Sequence, residues 1–312
     1  MVFLIVMDFP KLKNPTILSP MSGVTDIAFR TLCKRYGVGM TVTEFVSSAA
    51  VVRGNKDTFE LLRVDKSEKP VCVQLFGANE KEVVEAGILL QDKFDIIDVN
   101  CGCPAFKVIK TGAGSEMLKE PAKIERFVNK LVSSVSKPVT VKIRTGIDAN
   151  HINALDIARR VENAGAAAIT VHGRTQKQGY AGVADWDIIK KVKEAINIPV
   201  IGNGDVFSPE DYKAKMDYSG VDMIMIARGA MTNPYIFSQI NEYMKTGHYT
   251  DKSKKEQFFE YLKLAEQNKV GFFSIKGHAM SLSKGLVGGS ELRTNVSAAK
   301  NLSRIRELFE KL

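Results

Sequence analysis

A chain of 312 residues with 45% hydrophobic and 25% charged side chains has the composition of an ordinary globular protein, long enough to bury a large core. No apolar run approaches the roughly 18–20 residues of a membrane helix, and four cysteines are too few and too unevenly spaced for a disulfide framework. The net charge of +9 favours an anionic partner.

The opening Met1–Met7 is apolar but short, lacks a basic flank and runs into Asp8. That is not a signal-peptide pattern; translation from Met1 or from Met7 fits the sequence, and without a targeting signal the cytoplasm is the default. Short β-rich runs then alternate with amphipathic stretches. The predicted strands are Thr16–Ser19, Met40–Thr43, Val71–Leu75, Ile96–Asn100, Val139–Ile143, Ala168–Val171, Val200–Gly202 and Met223–Ala227. Between them, helical periodicity marks Asp26–Tyr36, Asn79–Gln91, Pro121–Ser134, Asn153–Ala164, Asp187–Ala195 and Pro209–Lys215. The strands do not alternate with polar residues, as expected when helices cover a parallel sheet. Eight such units in one run predict an α/β fold, a (β/α)8 TIM barrel, over residues 1–240.

From residue 241 to 312 no β-rich run appears. Lys254–Asn268 and Val296–Leu312 are helix-periodic, with Gly277 and Gly285–Gly289 breaking the stretch between them. The expectation is a small C-terminal all-helical domain. It carries 13 Lys/Arg against 8 Asp/Glu, over half of the chain's positive excess. A basic appendage of this kind suits a polyanion, although a solvated helical face has the same composition.

In a barrel, the residues just past the carboxyl ends of the strands face the ligand. Here those positions hold Ser19-Pro20-Met21, Glu44, Gln74, Asn100 with Cys103, Lys142 with Arg144, His172 with Arg174, Asn203-Gly204-Asp205, and Ala227-Arg228-Gly229. A thiol there can be a nucleophile, a metal ligand or a proton donor. Cys101 and Cys103 form only C-x-C without a second ligand pair, so no metal site is expected; Cys33 and Cys72 read as buried packing. The loops after the seventh and eighth strands are Gly-containing and suit a phosphate held by backbone N–H groups. No G-x-G-x-x-G follows a strand, which argues against a dinucleotide domain. Lys142 and Gln74 suit a flat heteroaromatic ring such as a flavin. The plainer alternative for Lys142 is an ion pair with a carboxylate such as Glu44, and for His172 alone a hydrogen-bonded structural histidine.

Taken together, Ser19–Asp26, Gln74–Gly77, Asp98–Pro104 with Lys107-Val108, Gly112–Leu118, Val141–Gly146, Val171–Thr175, Gly202–Asp205 and Ala227–Gly229 resemble, in order, the tRNA-dihydrouridine synthase family. The resemblance implies an enzyme that uses FMN, reduced by NADPH or NADH, to convert uridine in tRNA to 5,6-dihydrouridine. It implies flavin contacts from Ser19, Pro20, Met21, Gln74, Lys142 and His172. The phosphate end would lie against Asn203, Gly204, Asp205, Ala227 and Arg228, the substrate against Asn100 and Arg174. Cys103 would be the catalytic acid and residues 241–312 the tRNA-binding domain. One departure stands out: the residue before Gly102, usually apolar in the family, is Cys101. The competing readings are an FMN barrel reductase of a free pyrimidine, a non-redox phosphate-binding barrel, and a non-catalytic RNA-binding barrel.

Overall fold

The structure is a computed structural model that describes residues 7–312; the apolar opening before Met7 lies outside the described residues. All eight expected strands form: β1 (Thr16–Leu18), β2 (Met40–Ser47), β3 (Val71–Phe76), β4 (Ile96–Cys101), β5 (Val139–Arg144), β6 (Ala168–His172), β7 (Val200–Asn203) and β8 (Met223–Ile226). They pair in sequence order, all parallel, and β8 returns to β1 through Thr16–Ile224, Ile17–Met225 and Leu18–Ile226. The result is a closed TIM barrel with helices between successive strands.

Why these segments fold this way is visible in their burial. Strand residues are buried on both faces, one set against the outer helices and the other inside the ring. The inner set, including Ile17, Met40, Cys72, Ile96, Ala168 and Ile201, forms its own cluster against which Phe9 and Leu12 pack. Helix starts follow local capping: Asp26, Asn79, Asp185 and Ser208 each accept a backbone N–H from the first turn of the helix they precede.

Several elements differ from the sequence reading. Strand β2 runs four residues beyond Thr43, with an irregularity between Val42 and Phe45; such bulges re-aim side chains near sites. Here it lets Glu44 accept the Gly23 N–H at 2.6 Å, which steadies the loop after β1. Short helices at Ser48–Val52, Lys56–Leu61, Phe106–Ile109 and Arg228–Thr232 carry too few turns to show periodicity. Gly277 does not break the tail: it lies within a helix, Phe272–Leu282, whose Ile275, His278, Ala279 and Leu282 are buried. Packing there outweighs the ~1 kcal/mol penalty of an interior glycine. The stretch Val296–Leu312 is two helices, Gly289–Ala298 and Leu302–Glu310, because Ala299 is extended and Asn301 caps the second.

A division at residue 240 falls inside the helix Ile236–Thr246, whose Ile236, Phe237 and Ile240 are buried and which packs on the barrel helix Pro209–Ser219. Beyond it, helices Lys254–Gln267 and Phe272–Leu282 sit on the first barrel helix, Ile27–Arg35, and on the short helix after β8. The joint is polar at its centre. Tyr261 donates to Asp26 at 3.0 Å, and His278 Nε2 lies 3.2 Å from the same carboxylate while stacking on Phe29. Burial pulls the Asp26 carboxyl up, but His278, the Phe29 N–H and Tyr261 together hold it below the usual range. Among the described residues no helix is long and apolar enough to cross a membrane.

Candidate active site

At the carboxyl end of the barrel lies a cavity of about 590 Å³, bounded by the loops after most of the strands. Such a volume is typical of a small-molecule or cofactor site. Every strand-end residue singled out from the sequence lines it except Glu44 and Arg174. Ser19, Pro20 and Met21 form one wall, continuous with the apolar Phe45. Gln74, Asn100, Lys142 and His172 form the floor, and Asn203–Asp205 with Ala227–Arg228 close the far end.

The floor is electrostatically unusual. Lys142 Nζ donates to Asn203 Oδ1 at 2.9 Å and reaches no carboxylate; Glu44, the alternative partner, is held by Gly23 instead. Burial lowers the Lys142 pKa to about 7, with nearby Arg144 adding to the effect and Asp98 opposing it. His172 has no protein hydrogen-bond partner for its ring among the described residues; burial, then Lys142, Arg144, Arg174 and Arg228, push its pKa far down. It is therefore a neutral imidazole facing the cavity, able to donate from one nitrogen and accept at the other. Asn203 is fixed in turn, since its Nδ2 donates to Met225 O at 2.8 Å.

The two neighbouring cysteines separate cleanly. Cys101 is the last residue of β4, fully buried, with its Sγ 3.8 Å from Met117 Sδ; burial raises its pKa strongly. Cys103 is partly exposed and lines the cavity. Its backbone is held on both sides: its N–H donates to Asn100 Oδ1 at 2.9 Å, and its carbonyl accepts from the N–H and hydroxyl of Ser115 at 3.0 and 2.9 Å. Gly114, at φ +63°, makes this possible, because a Cβ there would stand 2.6 Å from the Cys103 carbonyl. Burial raises the Cys103 pKa, partly offset by the Ala105 backbone hydrogen bond, Arg144 and Lys142. The thiol is therefore protonated at neutral pH.

The far end pairs an arginine with bare backbone donors. Asp205 sits at φ +49° and Gly204 at φ +141°, and their N–H groups meet no protein acceptor among the described residues. Arg228 donates to Asp205 at 2.6 Å, with its guanidinium 5.0 Å from the Tyr180 ring and 5.5 Å from that of Phe207. The lone tryptophan braces this loop, since Trp186 Nε1 donates to Gly204 O at 3.2 Å.

Arg174 occupies another place from the one expected. It is buried, grips Asp205 with two hydrogen bonds of 2.9 and 2.7 Å, and donates to the carbonyls of Ala181 and Gly182. It braces the loop that carries Asp205 rather than facing the cavity. The guanidinium that does line the cavity is Arg144, two residues beyond Lys142, which also donates to Gly102 O at 2.9 Å. The sequence places Arg144 at its strand end but carries no signal of a role for it. Phe45 and Tyr180 carried no signal at all, one because β2 was read too short, the other because it stands in an irregular loop.

The sequence matches the family described as Dihydrouridine synthase (Dus) over residues 17–311. It is similar to tRNA-dihydrouridine synthase B of Shewanella oneidensis, 41% identical over 239 residues that span 76% of this chain and 74% of that protein. Against tRNA-dihydrouridine synthase B of Pseudomonas putida it is 43% identical over 246 residues, 76% and 71% of the two chains. A probable tRNA-dihydrouridine synthase 1 of Synechocystis sp. is 35% identical over 310 residues, 96% of this chain and 86% of that one. Solved structures with the same fold include histamine dehydrogenase from Rhizobium sp. 4-9, with a TM-score of 0.57 and 13% identity over 81% of this chain and 49% of that one. Another is 6-hydroxypseudooxynicotine amine oxidase from Pseudomonas geniculata N1, with a TM-score of 0.58 and 14% identity over 80% and 50%. The chain spans about half the length of these two enzymes, and the likeness to them is one of fold. A match that runs from β1 to the last helix, with relatives above 40% identity, establishes that this chain belongs to the dihydrouridine synthase family.

Proposed function

We propose that this protein reduces uridine in tRNA to 5,6-dihydrouridine, with FMN as its resident cofactor and NADPH or NADH as reductant. The observation that carries the reading is the placement of Cys103: of four thiols it alone reaches the cavity, in protonated form, beside a buried lysine and a neutral histidine. The cavity suits a flavin nucleotide. Its apolar wall at Pro20–Met21 offers a flat surface, its floor a cation and several amide donors, and its far end Arg228 with unpartnered N–H groups for a phosphate. Asp205 would repel a phosphate directly; its proposed part is to lend its N–H and to aim Arg228.

FMN, when bound and reduced, would supply hydride chemistry for uridine C6. Cys103 gives its proton to C5 and is re-protonated from solvent, so the 5,6 double bond gains one hydride and one proton. A thiol of ordinary or raised pKa suits this acid role, unlike the acidified thiolate of a nucleophile. Asn100 and Arg144 would hold the uracil carbonyls, Arg144 taking the part that the resemblance implied for Arg174. Lys142 and His172 would contact the ring edge of the cofactor. The target base has to leave its stack to enter the cavity. The basic helices of the C-terminal segment, expected as a separate domain, would hold the RNA by phosphate contacts that weaken steeply with salt. Such a substrate implies a cytoplasmic protein.

Cys103→Ala should retain the yellow flavin but form almost no dihydrouridine on unmodified tRNA, scored by mass change. Full activity in that variant, or preferential turnover of free uracil or orotate by the wild type, would reject the reading.

A further inference from the structure

Asp98 has no part in the chemistry above, yet it ends a directional chain of hydrogen bonds that begins at the Cys103 loop. The N–H groups of Gly102 and Cys103 both donate to Asn100 Oδ1, at 3.1 and 2.9 Å. Asn100 Nδ2 donates to Gln74 Oε1 at 2.7 Å, and Gln74 Nε2 donates to Asp98 Oδ2 at 2.7 Å. The other carboxylate oxygen accepts from Thr140 Oγ1 at 2.6 Å. All three side chains are buried, Gln74 completely.

The order of donors and acceptors follows from the two ends. Two backbone N–H groups require an oxygen from Asn100, so its nitrogen faces Gln74. Gln74 must then present its oxygen to Asn100 and its nitrogen to Asp98. The chain has to terminate on an acceptor, and Asp98 supplies it. Each amide keeps one further N–H, and both Gln74 and Asn100 line the cavity. The floor is thereby fixed as donor-presenting.

We infer that Asp98 is a positioning residue: as terminal acceptor of the Cys103–Asn100–Gln74 chain, it fixes the Cys103 loop and turns the free N–H of both amides toward the ligand. The inference deepens the proposed function and rests on it for the identity of the ligand. The claim concerns an acceptor oxygen rather than a charge, so the neutral isostere tests it. An asparagine at position 98 can still accept from Gln74 while its amino group faces Thr140 Oγ1; a leucine cannot.

The test is the rate of Cys103 alkylation by iodoacetamide in the full-length protein without flavin, the other three thiols being buried, together with FMN affinity from fluorescence quenching. Asp98→Leu should speed alkylation roughly tenfold and weaken FMN binding by a similar factor, the equivalent of about one hydrogen bond. Asp98→Asn, and Thr140→Val, which removes the other bond to the carboxylate, should stay within about twofold of wild type. Should Asp98→Leu fail to fold, Gln74→Leu cuts the chain at its middle and carries the same alkylation expectation; its FMN affinity is left aside because Gln74 itself faces the ligand. Wild-type alkylation in a folded Leu variant would overturn the inference, and so would equal acceleration in Asp98→Asn. Neither readout depends on turnover, so an inactive wild type would reject the proposed reaction while leaving this result standing.

Discussion

Lys142, on the cavity floor, and Asp98, buried behind Gln74, are shifted in opposite senses. Burial lowers the lysine to about 7 and raises the aspartate to about 6. For the lysine, the unfolded chain binds more protons than the folded one between about pH 7 and its reference near 10.4. Stability therefore rises with pH across that window, and the penalty is complete below it. For Asp98 the folded state binds the extra proton, so its contribution is present below about pH 4 and is lost as pH rises to 6. In flavin-free protein, Lys142→Met should flatten the rise of the unfolding midpoint between pH 7 and 10, measured by thermal melts. An unchanged slope would show that Lys142 is not buried as a cation. At this scale the sequence was informative wherever a side chain stands close to the carboxyl end of a strand, as with Lys142, His172 and Cys103. It was silent where a role depends on which of two neighbours turns inward. Arg144 and Arg174 have the same chemistry, but Arg144 closes β5 beside His172 whereas Arg174 lies two residues past the end of β6. The grip of Asp205 then holds Arg174 away from the cavity.

At the scale of elements, the barrel strands were legible because a fully buried strand leaves an apolar run bounded by turns. Short helices and bulges were not, because one or two turns make no period and a bulge changes no residue type. The loop after β7 shows how little sequence such an element needs. A Cβ on Gly204 would lie 2.5 Å from that of Ala184, in a backbone region with φ +141°. Gly204→Ala should cost on the order of 1–3 kcal/mol of stability and lower FMN affinity, since its N–H stands at the end of the cavity proposed for the phosphate. A denaturant titration with a flavin-binding assay checks this; loss of stability with full affinity would separate the loop from the ligand.

For the whole molecule, the composition read the C-terminal segment as helical and basic but could not show how it meets the barrel. Several of its basic groups hold the protein itself: Lys276 donates to the carbonyls of Ser297 and Ala299, Arg293 to that of Ser283, and Arg304 pairs with Glu307. The joint centres on Asp26, which caps the first barrel helix and receives Tyr261 from the tail. Asp26→Ala removes a cap worth ~1 kcal/mol and leaves buried donors without their acceptor. A loss of roughly 2–4 kcal/mol is expected, in a single denaturation transition rather than two. Separate melting of the tail would contradict a shared joint.

The ring of strands has one more implication. Because β8 returns to β1, the sheet has no free border onto which another polypeptide could zip its backbone. Self-association of the native protein would have to proceed through helix faces or the open mouth. Fibrillar aggregation would first require the ring to break.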